Sequence, residues 1–285
     1  MSDERAYCSE RSLADAEPMA GTADPVDVWL LLEYLPAWSA KATTDNALAA
    51  TTREWLTRLA NEAQQHGLKV RLQFIRQPEI ERTGVTFLVA SDGVLHRVDA
   101  PDYSTLSGMS FASVLAAPAV APPQYFVCTN GQRDLCCARF GLPTYAALRE
   151  RVGESVWQTT HVGGHRFAPN VLVLPQAALY GRVLPTDVDT FVATAESDRL
   201  AARWLRGRTS YAPQVQAAEA ALVARGIDVS GALTIAPVSD GGQRISFGTN
   251  AVVVRPGAPR EVLTSCGDQQ RKTVVPWIVS LDGDR

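Results

Sequence analysis

The chain has 285 residues, 46% of them hydrophobic, which suits about two domains with apolar cores. Its 27 Lys and Arg residues against 30 Asp and Glu residues give a net charge of -3, which argues against nucleic-acid binding through phosphate contacts. Five cysteines are too few for a secreted disulfide framework, and we find neither a signal peptide nor an apolar run of roughly 18 residues. We therefore expect a soluble cytoplasmic protein that binds neither nucleic acid nor a membrane.

The first part of the chain predicts an irregular arm followed by an α/β module. Residues 1–24 have neither helical nor alternating periodicity, which indicates the arm. Residues 25–121 predict the order β-α-β-β-β. The predicted elements are strands at 26–35, 69–75, 84–90 and 94–98, and a helix over 43–66. Pro122-Pro123 favours an extended linker and so marks a module boundary.

The second part predicts a thioredoxin-like module and a smaller appendix. Residues 122–207 show the order β-α-β-β-α that a thioredoxin-like module requires. The predicted elements are strands at 124–128, 155–161, 170–174 and 179–183, a helix over 143–152 and a terminal helix region over 188–205. Residues 208–285 predict a small α+β module that begins with a helix over 213–225. The fold class is therefore α/β.

Cysteine and histidine side chains are concentrated in two segments of the predicted thioredoxin-like module. Cys128 ends one predicted strand, and Cys136 and Cys137 follow in the next segment; His161 ends another strand, and His165 comes four residues later. In a strand-helix-strand unit the two strands are parallel, so their carboxyl ends lie at the same sheet edge. Two cysteines and two histidines could therefore converge on one centre.

Two thiolates and two imidazoles suit either zinc or an iron-sulfur cluster in which histidine replaces cysteine on one iron. Structural zinc sites usually have about two to four residues between paired cysteines. Cys128 and Cys137 are separated by eight residues. Because a wide loop better encloses a larger inorganic core, we favour the cluster and keep zinc as the alternative.

Three segments carry a resemblance to a known family: CTNGQRDLCC at 128–137, HVGGH at 161–165 and FAPNVLVLP at 167–175. They resemble segments of the sucrase/ferredoxin-like family, whose members are thioredoxin-like ferredoxins. A weaker likeness at 17–23 extends the resemblance over roughly residues 8 to 195. The resemblance implies a 2Fe-2S cluster on a thioredoxin-like fold, with two cysteines on one iron and two histidines on the other.

Carried onto this sequence, the resemblance implies Cys128, Cys137, His161 and His165 as the cluster and metal ligands. Relatives with a single cysteine at the second position keep eight residues between the pair, which selects Cys137 from the Cys136-Cys137 doublet. Cys136 is the possible substitute. The two remaining cysteines, Cys8 and Cys266, stand in weak sequence contexts, and we expect them to be packing residues.

These residues favour one-electron transfer with an unknown redox protein partner, a donor reductase or an acceptor. Histidine ligation implies a raised reduction potential and reduction coupled to proton uptake. We expect an electron carrier rather than a stand-alone enzyme, with no catalytic residues and no glycosidase activity. The alternative is a non-redox protein-binding module in which the same ligands hold structural zinc. A dithiol oxidoreductase using Cys136-Cys137 is disfavoured because adjacent cysteines form a strained bridge.

Overall fold

The computed structural model describes residues 7–121, 123–239 and 241–281. Six residues of the predicted arm, 1–6, and Pro122 of the predicted linker lie outside this description, as do 240 and 282–285 of the appendix. The helices are α1 Cys8–Ala14, α2 Ala50–Gln64, α3 Tyr103–Leu106, α4 Phe111–Leu115, α5 Leu135–Val152, α6 Val188–Glu196 and α7 Pro213–Val223. The strands are β1 Val28–Glu33, β2 Val70–Arg76, β3 Val85–Ser91, β4 Val94–Ala100, β5 Gln124–Cys128, β6 Val156–Thr159, β7 Val171–Leu174, β8 Ala178–Tyr180, β9 Leu205–Arg208, β10 Leu233–Pro237, β11 Gln243–Phe247, β12 Asn250–Pro256, β13 Arg260–Val262, β14 Lys272–Val274 and β15 Trp277–Leu281.

A single sheet extends across the two predicted modules. Its strand order among the described residues is β4-β3-β1-β2-β6-β5-β7-β8-β9. Strand β2 pairs with β6 in antiparallel fashion, with Ile75 opposite Thr159. On one face of this sheet, Trp29 and Trp157 belong to the same buried apolar cluster. Residues 25–121 and 122–207 therefore share both hydrogen bonds and core, and the boundary between them stays a prediction.

The predicted β-α-β-β-α order is confirmed, and with it the α/β fold class. Strands β5 and β6 are parallel and are joined through α5. Strand β7 runs antiparallel to β5, β8 runs antiparallel to β7, and α6 follows. Because β5 and β6 are parallel, the residues that follow them meet at one edge of the sheet.

Helix α5 begins eight residues earlier than Pro143, where the sequence predicted its start. The Asp134 side chain accepts a hydrogen bond from the backbone N–H of Cys136 at 3.0 Å and caps the helix there. Pro143 lies inside the helix, where its ring costs one backbone hydrogen bond. As a result Cys136 and Cys137 occupy the first helical turn rather than a wide loop. Consecutive helical residues point about 100° apart, so the two thiols face different neighbours.

Two other regions differ from the sequence prediction. The arm over 1–24, expected to be irregular, contains helix α1. The region 188–205, expected to be helical, contains the short α6 and then leads into strand β9, which pairs with β8. Asp198 has a φ of 55°, a left-handed conformation that cannot continue a right-handed helix. The chain can therefore turn back and add a strand to the sheet.

The last part of the chain combines one helix with two small sheets among its described residues, and its standing as a separate module remains a prediction. Strands β10, β11, β12 and β15 form an antiparallel sheet, and α7 packs on it through Val215 and Leu222. Strands β13 and β14 form a separate hairpin. Cys266 lies in the loop of this hairpin. None of the described helices combines the length and the apolar character needed to cross a bilayer.

Helix α5 packs tightly against the end of β5, and this contact predicts the effect of Gly141→Ala. A Cβ atom at Gly141 would lie 2.2 Å from the backbone oxygen of Cys128. We expect the free energy of unfolding, measured by urea denaturation, to fall by about 1–3 kcal/mol, because the helix must shift away from the strand. Gly108→Ala is the control, since a Cβ atom there meets nothing closer than 3.6 Å. Equal stability of the two variants would contradict this packing argument.

Candidate metal centre

Three of the four side chains proposed as ligands meet at the carboxyl end of β5. Cys128 is the last residue of β5, Cys137 lies in the first turn of α5, and His161 follows β6. The two Sγ atoms and a ring nitrogen of His161 all lie within 4.8 Å of one another. The Nδ1 atom of His161 is 4.0 Å from each Sγ atom. Both cysteines are fully buried, whereas His161 is half-buried at the mouth of the site.

His165 lies beside this group and stacks on His161. The ring centroids are 4.3 Å apart and the ring planes differ by 23°. Gly163 and Gly164, with φ values of 93° and 65°, fold the loop back so that the second imidazole lies on the first. The Nδ1 atom of His165 is buried without a hydrogen-bond partner among the described residues. A buried nitrogen that lacks a partner fits the role of a metal ligand.

The Cys128 and Cys137 side chains form a hydrogen-bonded pair with pKa values that shift in opposite directions. The hydrogen bond from Cys137 lowers the pKa of Cys128 well below its usual value, and His161 adds to this effect. The same hydrogen bond, together with burial, raises the pKa of Cys137. Cys128 is therefore the more acidic thiol of the pair, and Cys137 donates to it. Binding of a metal to both sulfurs would release their protons.

The His165 side chain is held neutral. Burial and, to a smaller extent, the neighbouring His161 lower the pKa of His165 to about 4. A neutral imidazole keeps a free lone pair near pH 7, which metal ligation requires. Two thiol sulfurs and two imidazoles converging at one sheet edge fit the donor set of a histidine-ligated 2Fe-2S cluster, and they also fit zinc.

Asp134 connects this group to a second one. Its Oδ2 atom is 3.9 Å from Nε2 of His165 and accepts hydrogen bonds from Ser265 Oγ at 2.7 Å and from the N–H of Cys266 at 2.9 Å. Burial raises the pKa of Asp134, but these hydrogen bonds outweigh it and the net pKa lies below the usual value. Asp134 is therefore a buried carboxylate at neutral pH.

Cys136, the possible substitute ligand, lies away from Cys128. Its Sγ atom belongs to a separate group with the thiols of Cys8 and Cys266 and the carboxylate of Asp134. Cys8 and Cys266, which we expected to be packing residues, do pack in an apolar cluster, and they lie side by side there. Their separation of 258 residues in the sequence hid this contact.

Comparison with known proteins places the chain in a family. The model of the family described as sucrase/ferredoxin-like matches residues 19–207, about two thirds of the chain. The chain belongs to the sucrase/ferredoxin-like family. The match includes both the cysteine and the histidine segments of the candidate centre. It extends beyond the resemblance seen in the sequence, which ended near residue 195, and so includes strand β9.

Curated and solved relatives of this family member cover only parts of it. "Altered inheritance of mitochondria protein 32" of Meyerozyma guilliermondii is 36% identical over 78 residues, which are 24% of this chain and 28% of that protein. A thioredoxin-like [2Fe-2S] ferredoxin from Aquifex aeolicus is 22% identical, with a TM-score of 0.27, over 30% of this chain and 91% of the ferredoxin. A cysteine-to-serine variant of that ferredoxin matches with a TM-score of 0.26 and 22% identity, over 30% of this chain and 97% of its own.

Sequence reasoning missed Arg206, a fully buried residue of β9 that holds the histidine loop. Its guanidinium donates hydrogen bonds to the Gly163 carbonyl at 2.9 Å, to Asn170 Oδ1 at 2.9 Å and to the Thr22 carbonyl at 2.6 Å. Burial lowers the pKa of Arg206 to about 9. Thr22 belongs to the weakly matching segment 17–23, which therefore contacts the histidine loop through this arginine. The signal was hidden because the sequence predicted a helix region up to Leu205, directly before Arg206, and no strand there.

These hydrogen bonds predict that Arg206→Lys damages the site although it keeps the charge. An ammonium group cannot reproduce the planar fork of donors, so at least one buried carbonyl loses its partner. We expect the free energy of unfolding in urea to fall by about 1–3 kcal/mol, and the bound metal to fall with it. Arg203→Lys is the matched control, because Arg203 is 71% exposed and pairs with Asp187 at the surface. Equal effects of the two substitutions would contradict the role of Arg206.

Proposed function

We propose that this chain is an electron-transfer protein in which Cys128, Cys137, His161 and His165 hold a 2Fe-2S cluster. The cysteines would bind one iron and the histidines the other. One observation carries the proposal: two buried thiols and a stacked pair of imidazoles, one with an unpartnered buried nitrogen, meet at a single sheet edge. Such a cluster would supply one-electron oxidation and reduction. Membership of the sucrase/ferredoxin-like family supports iron-sulfur chemistry over zinc.

The protein's own residues prepare the ligands for binding. Cys128 is the more acidic thiol of its pair, and burial keeps His165 neutral. The carbonyl oxygen of His161 accepts hydrogen bonds from Arg71 at 3.0 Å and from Gln73 at 3.1 Å. These two side chains come from β2, so the histidine loop is fixed to the sheet on one side and to Arg206 on the other. A loop held on both sides loses little freedom when a metal binds.

The exposure of the ligands indicates where electrons would enter and leave. The two cysteines are inside the protein, whereas His161 and His165 are only partly buried. A redox protein partner would therefore dock over the histidine edge, where the distance to the centre is shortest.

Iron and sulfide analysis of protein purified without air tests the proposal. Wild type should be coloured and should contain iron and acid-labile sulfide in equal amounts. Cys128→Ser, Cys137→Ser and His165→Ala should each lower the iron content at least roughly tenfold, because each removes a ligand. His66→Ala is the matched control, since His66 lies exposed beyond the end of α2. A colourless wild type with zinc and no sulfide would support the structural zinc alternative and reject the cluster.

The same ligands predict that the reduction potential depends on pH. A metal ion would acidify the remaining N–H of an imidazole that it binds, and reduction of the metal would raise the affinity of that nitrogen for a proton. Raising the pH therefore favours the oxidised form, and the potential should fall by up to about 59 mV per pH unit for one proton per electron. Protein-film voltammetry between about pH 6 and about pH 10 measures this slope. A potential that stays constant over this range would remove the proton coupling and leave electron transfer intact.

A further inference from the structure

A second group of sulfur atoms lies on the other side of the α5 N-terminus. We call it the thiol triad: Cys8 of α1, Cys136 of α5 and Cys266 of the β13–β14 loop. The Sγ atoms of Cys8 and Cys136 are 3.5 Å apart, those of Cys136 and Cys266 are 3.1 Å apart, and those of Cys8 and Cys266 are 3.6 Å apart. Three segments that are distant in the sequence therefore bring one sulfur each to one point.

The triangular arrangement fits a single ion better than a disulfide. A disulfide joins two sulfurs at about 2.0 Å and would leave the third without a role. Around tetrahedral zinc, with Zn–S distances of about 2.3 Å, two sulfurs lie about 3.8 Å apart. All three distances of the triad lie closer to that edge length than to a covalent bond. To make room for the ion, the sulfurs of Cys136 and Cys266 would separate by roughly 0.7 Å and the other two pairs by roughly 0.2–0.3 Å.

Asp134 offers the fourth ligand atom. A carboxylate oxygen of Asp134 and the three sulfurs all lie within 4.8 Å of one another, and Oδ1 is 3.9 Å from the Cys8 sulfur. The carboxylate also accepts hydrogen bonds from the backbone N–H groups of Cys136 and Cys266, so it fixes two of the three thiols in place. Three sulfurs and one oxygen complete a closed tetrahedral set without an open position, which is typical of structural zinc.

Hydrogen bonds to the sulfurs complete the arrangement. The Ser9 hydroxyl donates to the Cys136 sulfur at 3.2 Å, and the backbone N–H of Cys8 lies 3.4 Å from the Cys266 sulfur. Both groups can stabilise thiolates, which are the form of cysteine that binds metals. A cation bound there would offset the negative charge of the Asp134 carboxylate and of the thiolates that it binds.

We propose that the thiol triad and Asp134 bind one Zn²⁺ ion as a structural site. The site is separate from the proposed 2Fe-2S centre, because Cys136 and Cys137 leave α5 in different directions. The ion would join α1 and the β13–β14 loop to the helical turn that carries Cys137. It would close loops of more than one hundred residues, since 128 and 130 residues separate Cys136 from Cys8 and from Cys266. Zinc would thus hold both ends of the described chain against the candidate redox centre.

Metal analysis of the full chain tests this site with two variants that should each lose a different metal. Chelator-treated protein is loaded with Zn²⁺ without air, after iron and sulfide have been restored. Cys266→Ser should lower the zinc affinity at least roughly tenfold while iron and sulfide stay at the wild-type level. Cys128→Ser should do the reverse. The two arms separate the proposals, because loss of the proposed function is read from iron and sulfide, and loss of this site is read from zinc.

Zinc K-edge absorption of the iron-loaded wild type gives a second readout that does not depend on whether a variant folds. We expect three sulfur neighbours at about 2.3 Å and one oxygen at about 2.0 Å. Equal zinc affinity in wild type and Cys266→Ser would overturn the proposal, and so would fewer than three sulfur neighbours. The proposal would also fail if a Cys136–Cys266 disulfide formed again after reduction and persisted when Zn²⁺ is added.

Discussion

The carboxylate of Asp134 at the start of α5 is the constraint on which the rest of the site depends. By accepting the N–H of Cys136 it begins the helix at Leu135, and this start sets the direction of both thiols of the doublet. If the helix started one residue earlier or later, each thiol would point about 100° away from its present direction, and Cys137 would be separated from Cys128. The same carboxylate reaches His165 on one side and the Cys266 loop on the other. One buried negative charge therefore organises two groups of metal-ligating side chains.

A buried positive charge performs the corresponding task for the histidine loop. Burial lowers the pKa of Arg206, and the guanidinium pairs with neutral carbonyl and amide oxygens rather than with a carboxylate. The loop gains a fixed shape because a planar guanidinium accepts few alternative arrangements of its partners. Gly164 is required there for a second reason, since a Cβ atom would lie 2.4 Å from the guanidinium. Glycine at position 164 thus allows the guanidinium of Arg206 to approach closely and also allows the left-handed backbone conformation.

The continuous sheet explains how the candidate centre is supported from outside its own module. Pairing of β2 with β6 brings Arg71 and Gln73 to the carbonyl of His161. Strand β9 brings Arg206 from the opposite edge, next to β8. Neither contact arises within the β-α-β unit that carries the ligands. The residues before and after that unit are therefore part of the site's structure, which is consistent with a family match over 19–207.

The sequence by itself determined the fold class, the parallel β-α-β unit and the four side chains proposed as ligands. Strand ends and short motifs are local features, and parallel pairing converts them into a shared position. The tertiary structure alone decided that α5 starts at Leu135 after its Asp134 cap, that Arg206 lies on a strand, and that Cys8, Cys136 and Cys266 meet. The start of α5 was misplaced because Pro143 gives a stronger local signal than an aspartate cap. The meeting of three cysteines depends on contacts across more than one hundred residues, which no local periodicity encodes.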